Sequence, residues 1–492
     1  MEQTSVSHCW LLFPVTATAL SAIWVERAPR LLRRHGWESF CWVVVQAIYL
    51  GLFGEFSIGG GTILPPSLII VGACMLLFVA FAAIHFRRLS HFPLLFPVAW
   101  YMLAACLSGW HSASHLHWIR GVMEVALGFC FLLFPYFFLR NRRQLESCLK
   151  MVVLLAAATV LFAVLQAVLF PFVRSGLALL YLREDLWWIV GWGWRGRMAG
   201  NWVHPSYLGS VLNVAAPFAL LRYVRADTSR TRALALLLYL TLAAGVALTG
   251  TRTPLVAFLA SSGTFVILAQ ARRRGWAALA CAATLVVTLS LFHFRFAPPD
   301  VGSTSQLPRS FALAERLELR GSKSMATIGM RWITQGQALS LFRTSPLFGI
   351  GMRNYPDRAR GDPMAQFSIH NSLVQNLTEV GLFGLTAFLV LMGAALRADF
   401  RPRLSSLPEL RSLRAAFFCS STAILLESLA ENSLAVWQIL ALFWLVRGMS
   451  LVIAQRPAAF LSRQSFAGLE RHNPIASQSQ EKALVSLPAV VG

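Results

Sequence analysis

Residues Phe367–Met392 read FSIHNSLVQNLTEVGLFGLTAFLVLM. The second half is almost uninterrupted apolar sequence. Taken from 371 to 396, the stretch is long enough for a helix to cross the roughly 30 Å hydrocarbon core of a bilayer. The first half is different. Asn371, Gln375 and Thr378 fall at i, i+4 and i+7, which places them on one helical face. Polar groups carried to that depth must face protein or a wet cavity. One stretch therefore predicts a membrane helix and a polar site at its mouth.

The rest of the chain repeats the apolar half of this pattern. Of 492 residues, 57% are hydrophobic and only 13% charged, about half the charged share of an ordinary soluble domain. That excludes a soluble multidomain enzyme, a disordered chain and a disulfide-rich secreted domain. Apolar runs occur at 10–25, 38–57, 64–86, 93–109, 118–139, 149–172, 204–221, 233–249, 253–270, 275–294, 371–396, 413–430 and 434–453. The expected fold is an all-α polytopic membrane protein of 12–13 transmembrane helices, twelve if 10–25 lies only at the interface. These runs are far too long for barrel strands. The first ten residues lack a basic stretch and the run after them ends in ERAPRLLRRH, so a retained segment is expected rather than a cleaved signal. The eight cysteines are scattered singly, without metal-ligand or disulfide spacing.

The net charge of +22 has its simplest origin in the positive-inside rule. No basic-aromatic nucleic-acid module accompanies it, so no nucleic-acid partner is expected. Six short loops, from ERAPRLLRRH to RADFRPRLSSLPELRSLR, hold 22 basic residues. The intervening turns near 58–63, 250–252 and 431–433 hold one, Arg252. The arginine-rich set is therefore assigned to the cytoplasm. The predicted organisation is N-terminal helices over 1–172, an outer loop at 173–203, helices over 204–294 with the Arg252 turn, a large outer loop at 295–370 between the tenth and eleventh spans, C-terminal helices over 371–455, and a polar cytoplasmic tail at 456–492 whose composition suits disorder. The two long outer loops carry 14 basic residues. Long loops translocate regardless of charge, but cations on the outer face suggest an anionic ligand.

Within 295–370, TIGMRWITQGQALSLFRTSP predicts an interfacial helix with Ile328, Trp332, Leu339 and Phe342 on one face. Gly349 and Gly351 then permit a tight turn.

His370-Asn371, nine residues, then Gly381-Leu382-Phe383-Gly384 resembles the H-[NSQ]-x9-G-x-x-G signature of the O-antigen ligase and polymerase superfamily of bacterial membrane glycosyltransferases. SPLFGIGMRNY resembles that family's P-L-x-G-x-G-x-x-x-[FY] element, and LTGTRTPLVAF its short outer turn with a basic residue opening a helix. GRMAGNWVHPSYLGSVLNVAAP resembles an earlier R-x-x-G-x-x-x-x-P-N element, except that Ser206 follows Pro205. The motifs cover roughly 195–395.

The resemblance implies a GT-C-like helical fold in the bacterial inner membrane with its site at the periplasmic face. It implies a glycan donor on undecaprenyl diphosphate and transfer to an acceptor hydroxyl, on lipid A-core or a similar acceptor, with inversion and without a metal or other cofactor. A polymerase of the same superfamily, a protein O-oligosaccharyltransferase and a lipid-linked glycan transporter are the alternatives, in that order. Carried over by motif, Arg252 and Arg331 would bind the donor diphosphate and His370 would act as general base. The residue chemistry agrees. The outer loops lack a DxD-like acidic cluster for a divalent ion, arginine binds phosphate through paired charged hydrogen bonds, and imidazole accepts a proton near neutral pH. Arg195, Arg197, Asn201, His204, Asn371 and Gln375 are further candidates for donor or acceptor contacts.

Other features have plainer readings. Trp187, Trp188, Trp192, Trp194 and Trp202 suit an interfacial belt, with sugar or polyprenyl stacking as the alternative. Arg120 and Glu124 suit a structural i,i+4 pair. Glu427 and Glu431 repeat that spacing, and a second general base there is the less favoured reading. His111, His115 and His117 lack the acidic or cysteine partners of a metal site. Gly381 and Gly384 are expected to allow close helix packing.

Overall fold

A computed structural model of the chain describes residues 56–58, 61–63, 89–169, 205–269, 323–359, 369–400 and 408–460. The expected spans 10–25, 64–86 and 275–294, nearly all of 38–57, the loop 173–203, residues 295–322 and the tail beyond 460 lie outside these residues.

Among the described residues the helices are α1 (Leu95–Leu107), α2 (His115–Phe138), α3 (Arg142–Leu169), α4 (Pro205–Arg225), α5 (Ser229–Leu248), α6 (Arg252–Leu268), α7 (Lys323–Phe342), α8 (Tyr355–Arg358), α9 (Ser372–Arg397), α10 (Pro408–Ser428) and α11 (Trp437–Gln455). Six of them, α2, α3, α4, α5, α9 and α11, are long and apolar enough to cross a membrane. The apolar α6 is shorter, and α1, with 13 residues, spans about 20 Å. The all-helical expectation holds with one amendment. Phe56 and Ser57, assigned to the end of a span, belong to a small antiparallel hairpin in which Phe56–Ile58 pairs with Gly61–Ile63.

Helix ends follow side-chain chemistry. Ser114, Thr228 and Asn371 cap α2, α5 and α9, their side-chain oxygens accepting the first free backbone N–H groups. One continuous apolar core joins the helices, with α2 against α11 and α4 against α5 and α10.

The bundle has two chemically distinct ends. At one, arginines bind neighbouring helix termini. Arg225 donates to Ser412 Oγ at 3.3 and 3.2 Å, and Arg456 stands over the Tyr136 ring. Just inside that end the fully buried Arg447 donates to Asp399 at 2.6 Å and to Ser421 at 3.1 Å, with Ser450 and the Ala395 carbonyl completing the cluster. The other end gathers the first residues of α2, α4, α6, α9 and α11 and the last of α10. This is the grouping that loop charge predicted.

α9 is not one continuous helix. Gly381 has φ 70° and ψ −172°, which breaks it. The segment after α7 fills the break with its own backbone. Ile350 N–H donates to Thr378 O and Gly351 N–H to Glu379 O, while Leu382 and Phe383 N–H donate to Pro346 O and Leu347 O, all at 2.9–3.1 Å. Groups that a helical break would orphan inside an apolar bundle are thereby paired. The two chains pass so closely that a Cβ on Gly349 would lie 2.6 Å from Gly381 N, and a Cβ on Gly381 would lie 2.6 Å from Gly349 N. The packing role expected of Gly381 is thus replaced by a backbone one. Gly384 does face a neighbouring helix, at Ala104.

Candidate functional site

The interlocked segment sets the position of α7 and of the residues after it. Asn354, fully buried, accepts Ser114 N–H at 2.6 Å and Ser112 Oγ–H at 3.1 Å and donates to Ser114 O at 3.2 Å. His117 Nδ1 meets Asp357 at 2.5 Å, and Arg358 donates to His111 O at 2.5 Å. The His117 side chain and the His111 carbonyl therefore tie α8 to the start of α2. Among the described residues no His/Cys/Asp/Glu group is arranged to hold a metal.

α7 packs through its small polar face. Thr334 and Ala338 are buried, Tyr355 OH donates to Thr334 O at 3.3 Å, and Thr378 Oγ1–H donates to Ala338 O at 3.1 Å. The predicted apolar face looks away from this contact, with Trp332 72% and Leu339 41% exposed. The packing turns Arg331 toward the turn after α10. There Arg331 Nη1 donates to Ala430 O at 2.8 Å and Nη2 to Glu431 Oε1 at 2.5 Å. The second oxygen of Glu431 lies 3.1 Å from His370 Nδ1. Ser372, two residues after His370, donates to the Glu431 carbonyl at 3.3 Å. Glu431 is itself nearly fully buried, while the side chains of Arg331 and His370 are about a quarter exposed.

Two of the three motif-derived residues, Arg331 and His370, thus meet on one carboxylate. With Nδ1 facing Glu431, Nε2 of His370 is the nitrogen left for an incoming group. The third, Arg252, opens α6 at the same end of the bundle. Its side chain is exposed and bonds to no described residue. Its turn is anchored indirectly. Asn213 donates to Pro254 O at 3.0 Å and to Glu427 at 3.3 Å, and Ser210 donates to Glu427 at 2.6 Å with the Ser433 hydroxyl 3.1 Å away. Glu427 and Asn213 together therefore tie α4, α6 and α10, and Glu431, one turn on, meets Arg331 and His370.

The polar stripe of α9 divides among three tasks. Asn371 is consumed as the helix cap, Thr378 ties α9 to α7, and Gln375 lines a cavity between α2, α9 and α11. Arg195, Arg197, Asn201, His204 and the five tryptophans of 187–202 lie outside the described residues. Glu124 does more than pair with Arg120 at 3.1 Å: it also holds Arg353, whose guanidinium reaches Ala435 O at 3.0 Å. Arg353 has φ 58°, a left-handed conformation uncommon for a side chain of its size.

The fold and site define a multi-pass helical membrane protein with a charged, partly buried histidine site at one end of the bundle. Residues 236–389 match the family model described as O-antigen ligase, a domain match that supports a place in the O-antigen ligase superfamily. The match includes Arg252, Arg331 and His370 and ends before Glu431. No curated protein matches the chain. Members of that family are glycosyltransferase-like ligases or polymerases, which supports an enzyme in the broad sense.

Proposed function

We propose that this protein transfers a glycan from undecaprenyl diphosphate to an acceptor hydroxyl, on lipid A-core or a similar acceptor, at the periplasmic face of the inner membrane. The observation that carries this reading is the meeting of His370 and Arg331 on the buried carboxylate of Glu431. It brings together a base and a cation 39 positions apart in sequence, the two groups that a displacement on a sugar diphosphate needs.

In the proposed reaction His370 Nε2 takes the proton of the acceptor hydroxyl. The acceptor oxygen forms its bond to the anomeric carbon as the bond from that carbon to the diphosphate oxygen breaks. The electron pair leaves with undecaprenyl diphosphate, and attack opposite the leaving group inverts the anomeric centre. Glu431 stabilises the imidazolium that forms, the part a carboxylate plays beside a catalytic histidine. Arg331 and Arg252 offset the charge collecting on the leaving diphosphate. Each of these steps uses side chains only, so the mechanism requires no metal.

The test is incubation of purified protein with a synthetic undecaprenyl-diphosphate oligosaccharide, with and without lipid A-core, and resolution of products by mass. Glycan on lipid A-core together with free undecaprenyl diphosphate is the expected result. Longer undecaprenyl-linked chains without added acceptor would replace the ligase by a polymerase. Absence of any transfer, with His370→Ala indistinguishable from the parent, would sink the reading.

A further inference from the structure

Directly behind the His370–Glu431 pair lies a partly enclosed cavity in the bundle. Ser372 is shared between the two, since it lines the cavity and binds the Glu431 carbonyl. The cavity reaches Glu379, seven residues further along α9 and so about 10 Å below the helix start. Polar side chains at that depth are expensive unless they serve something.

Most of the lining is already satisfied. Glu124 is held by Arg120 and Arg353. Glu379 accepts from Gln375 Nε2 at 3.3 Å. Tyr101 OH donates to Asn376 at 2.5 Å, and Asn376 in turn donates to Ser372 O at 2.8 Å. Two polar atoms of the lining residues are buried without a partner among the described residues. One is an acceptor, Gln375 Oε1, and the other a donor, the indole N–H of Trp444, a residue 1% exposed. Buried polar atoms are paired in the great majority of cases. The remaining wall is apolar, from Val125, Phe129 and Phe388.

The free space is about 60 Å³. A cavity of roughly 150 Å³ holds benzene and one water needs roughly 10–15 Å³, so this one admits a substituent of about two to four non-hydrogen atoms, not a sugar ring. An anionic substituent would face the two carboxylates of Glu124 and Glu379. A group with one donor, one acceptor and a methyl meets the unsatisfied pair and the apolar wall together.

We propose that this cavity is a specificity subsite for the acetamido group of an N-acetylated amino sugar at the reducing end of the donor glycan. The inference rests on the transfer reading given above. The acetamido N–H donates to Gln375 Oε1, its carbonyl accepts from Trp444 N–H, and its methyl lies against Phe129 and Phe388. Such a site rejects the analogue lacking the group, because its own buried donor and acceptor are then left unpaired.

The test measures equilibrium binding of two synthetic donors to the full chain in lipid nanodiscs. They are undecaprenyl diphosphate bearing N-acetylglucosamine and undecaprenyl diphosphate bearing glucose. The parent protein is expected to bind the acetamido donor at least about tenfold more tightly. Trp444→Phe and, separately, Gln375→Leu should reduce that ratio to within about threefold. Trp444→Phe keeps the aromatic packing and guards against a folding failure in the other variant. Equal binding of the two donors by the parent overturns the proposal and leaves a cavity that holds water only. Discrimination that survives both substitutions also overturns it. Discriminating binding without transfer to any acceptor would sink the transfer reading and leave the subsite standing.

Discussion

Glu431 Oε2 lies 3.1 Å from His370 Nδ1. Because Glu431 is also the partner of Arg331, one buried carboxylate orients both groups, and the variants of this trio should separate by chemistry. His370→Ala should lower transfer by about 10²- to 10⁴-fold while donor binding persists. Glu431→Gln keeps the shape but loses the charge, and should lower kcat by about tenfold or more with little change in thermal stability. Glu431→Ala should be worse in both respects, since it leaves Arg331 half-buried beside an empty space. Steady-state kinetics with thermal denaturation in detergent would check this. A Glu431→Gln enzyme with parental kcat would remove Glu431 from the mechanism.

The two arginines should not behave alike. Arg331 reaches Glu431 and Ala430 O with separate nitrogens, a fork that lysine cannot reproduce. Arg331→Lys should therefore lose about tenfold or more in transfer. Arg252 bonds to no described residue, so Arg252→Ala should leave stability unchanged and weaken binding of undecaprenyl diphosphate by about tenfold or more. Titration of each variant with the lipid diphosphate would show it. Unaltered affinity in Arg252→Ala would count against a phosphate contact.

The backbone interlock between the segment after α7 and the break in α9 makes a graded prediction for glycines. Gly349→Ala and Gly381→Ala place a Cβ against backbone at a positive φ, and each should cost about 2 kcal/mol or more. Gly393, with nothing within 4 Å of a Cβ, should tolerate alanine and gain up to about 1 kcal/mol from helix propensity. Melting temperatures in one detergent would rank them. Equal tolerance at all three positions would mean the interlock does not form.

At the arginine-rich end, Arg447→Met alone should cost about 3–5 kcal/mol because it strands the buried Asp399. Adding Asp399→Leu should recover most of that loss, since two apolar side chains can replace a buried ion pair at little net expense. If the double variant is no more stable than the single one, the cluster does more than close the charge.

Orientation is open to direct measurement. In a cysteine-free background, Ala113→Cys, in the exposed loop before α2, should react with a membrane-impermeant maleimide added to intact spheroplasts. Ser229→Cys, at the exposed start of α5, should react only after permeabilisation. The reverse pattern would invert the assigned topology.

Much of this protein was legible in the chain. Apolar runs located the described membrane helices to within a few residues at most boundaries, and loop arginines sorted the helix ends into two groups. Both signals are local, because a bilayer imposes its thickness and its charge asymmetry on each segment separately. The family resemblance named Arg252, Arg331 and His370 as site residues, without indicating which of them meet. The glycines of its motifs, however, mark a backbone interlock rather than only close helix packing. Glu431 was harder. Its signal was an acidic pair, Glu427 and Glu431, at the end of a helix beside a turn without basic residues. Nothing in that spacing distinguishes Glu427, which with Asn213 ties three helices, from Glu431, which faces His370.

The sequence by itself therefore determined that the chain carries many membrane-length apolar runs, which helix ends lie together, and which residues to propose for the site. Only the tertiary structure decided that Glu431 joins His370 to Arg331, that α9 is broken and repaired by backbone from another segment, and that Arg252 stands apart from the other two. Hydropathy and motif spacing act along one segment at a time. Pairing a buried carboxylate, or a freed backbone amide, depends on what distant segments bring to it, and that is settled only when the helices pack.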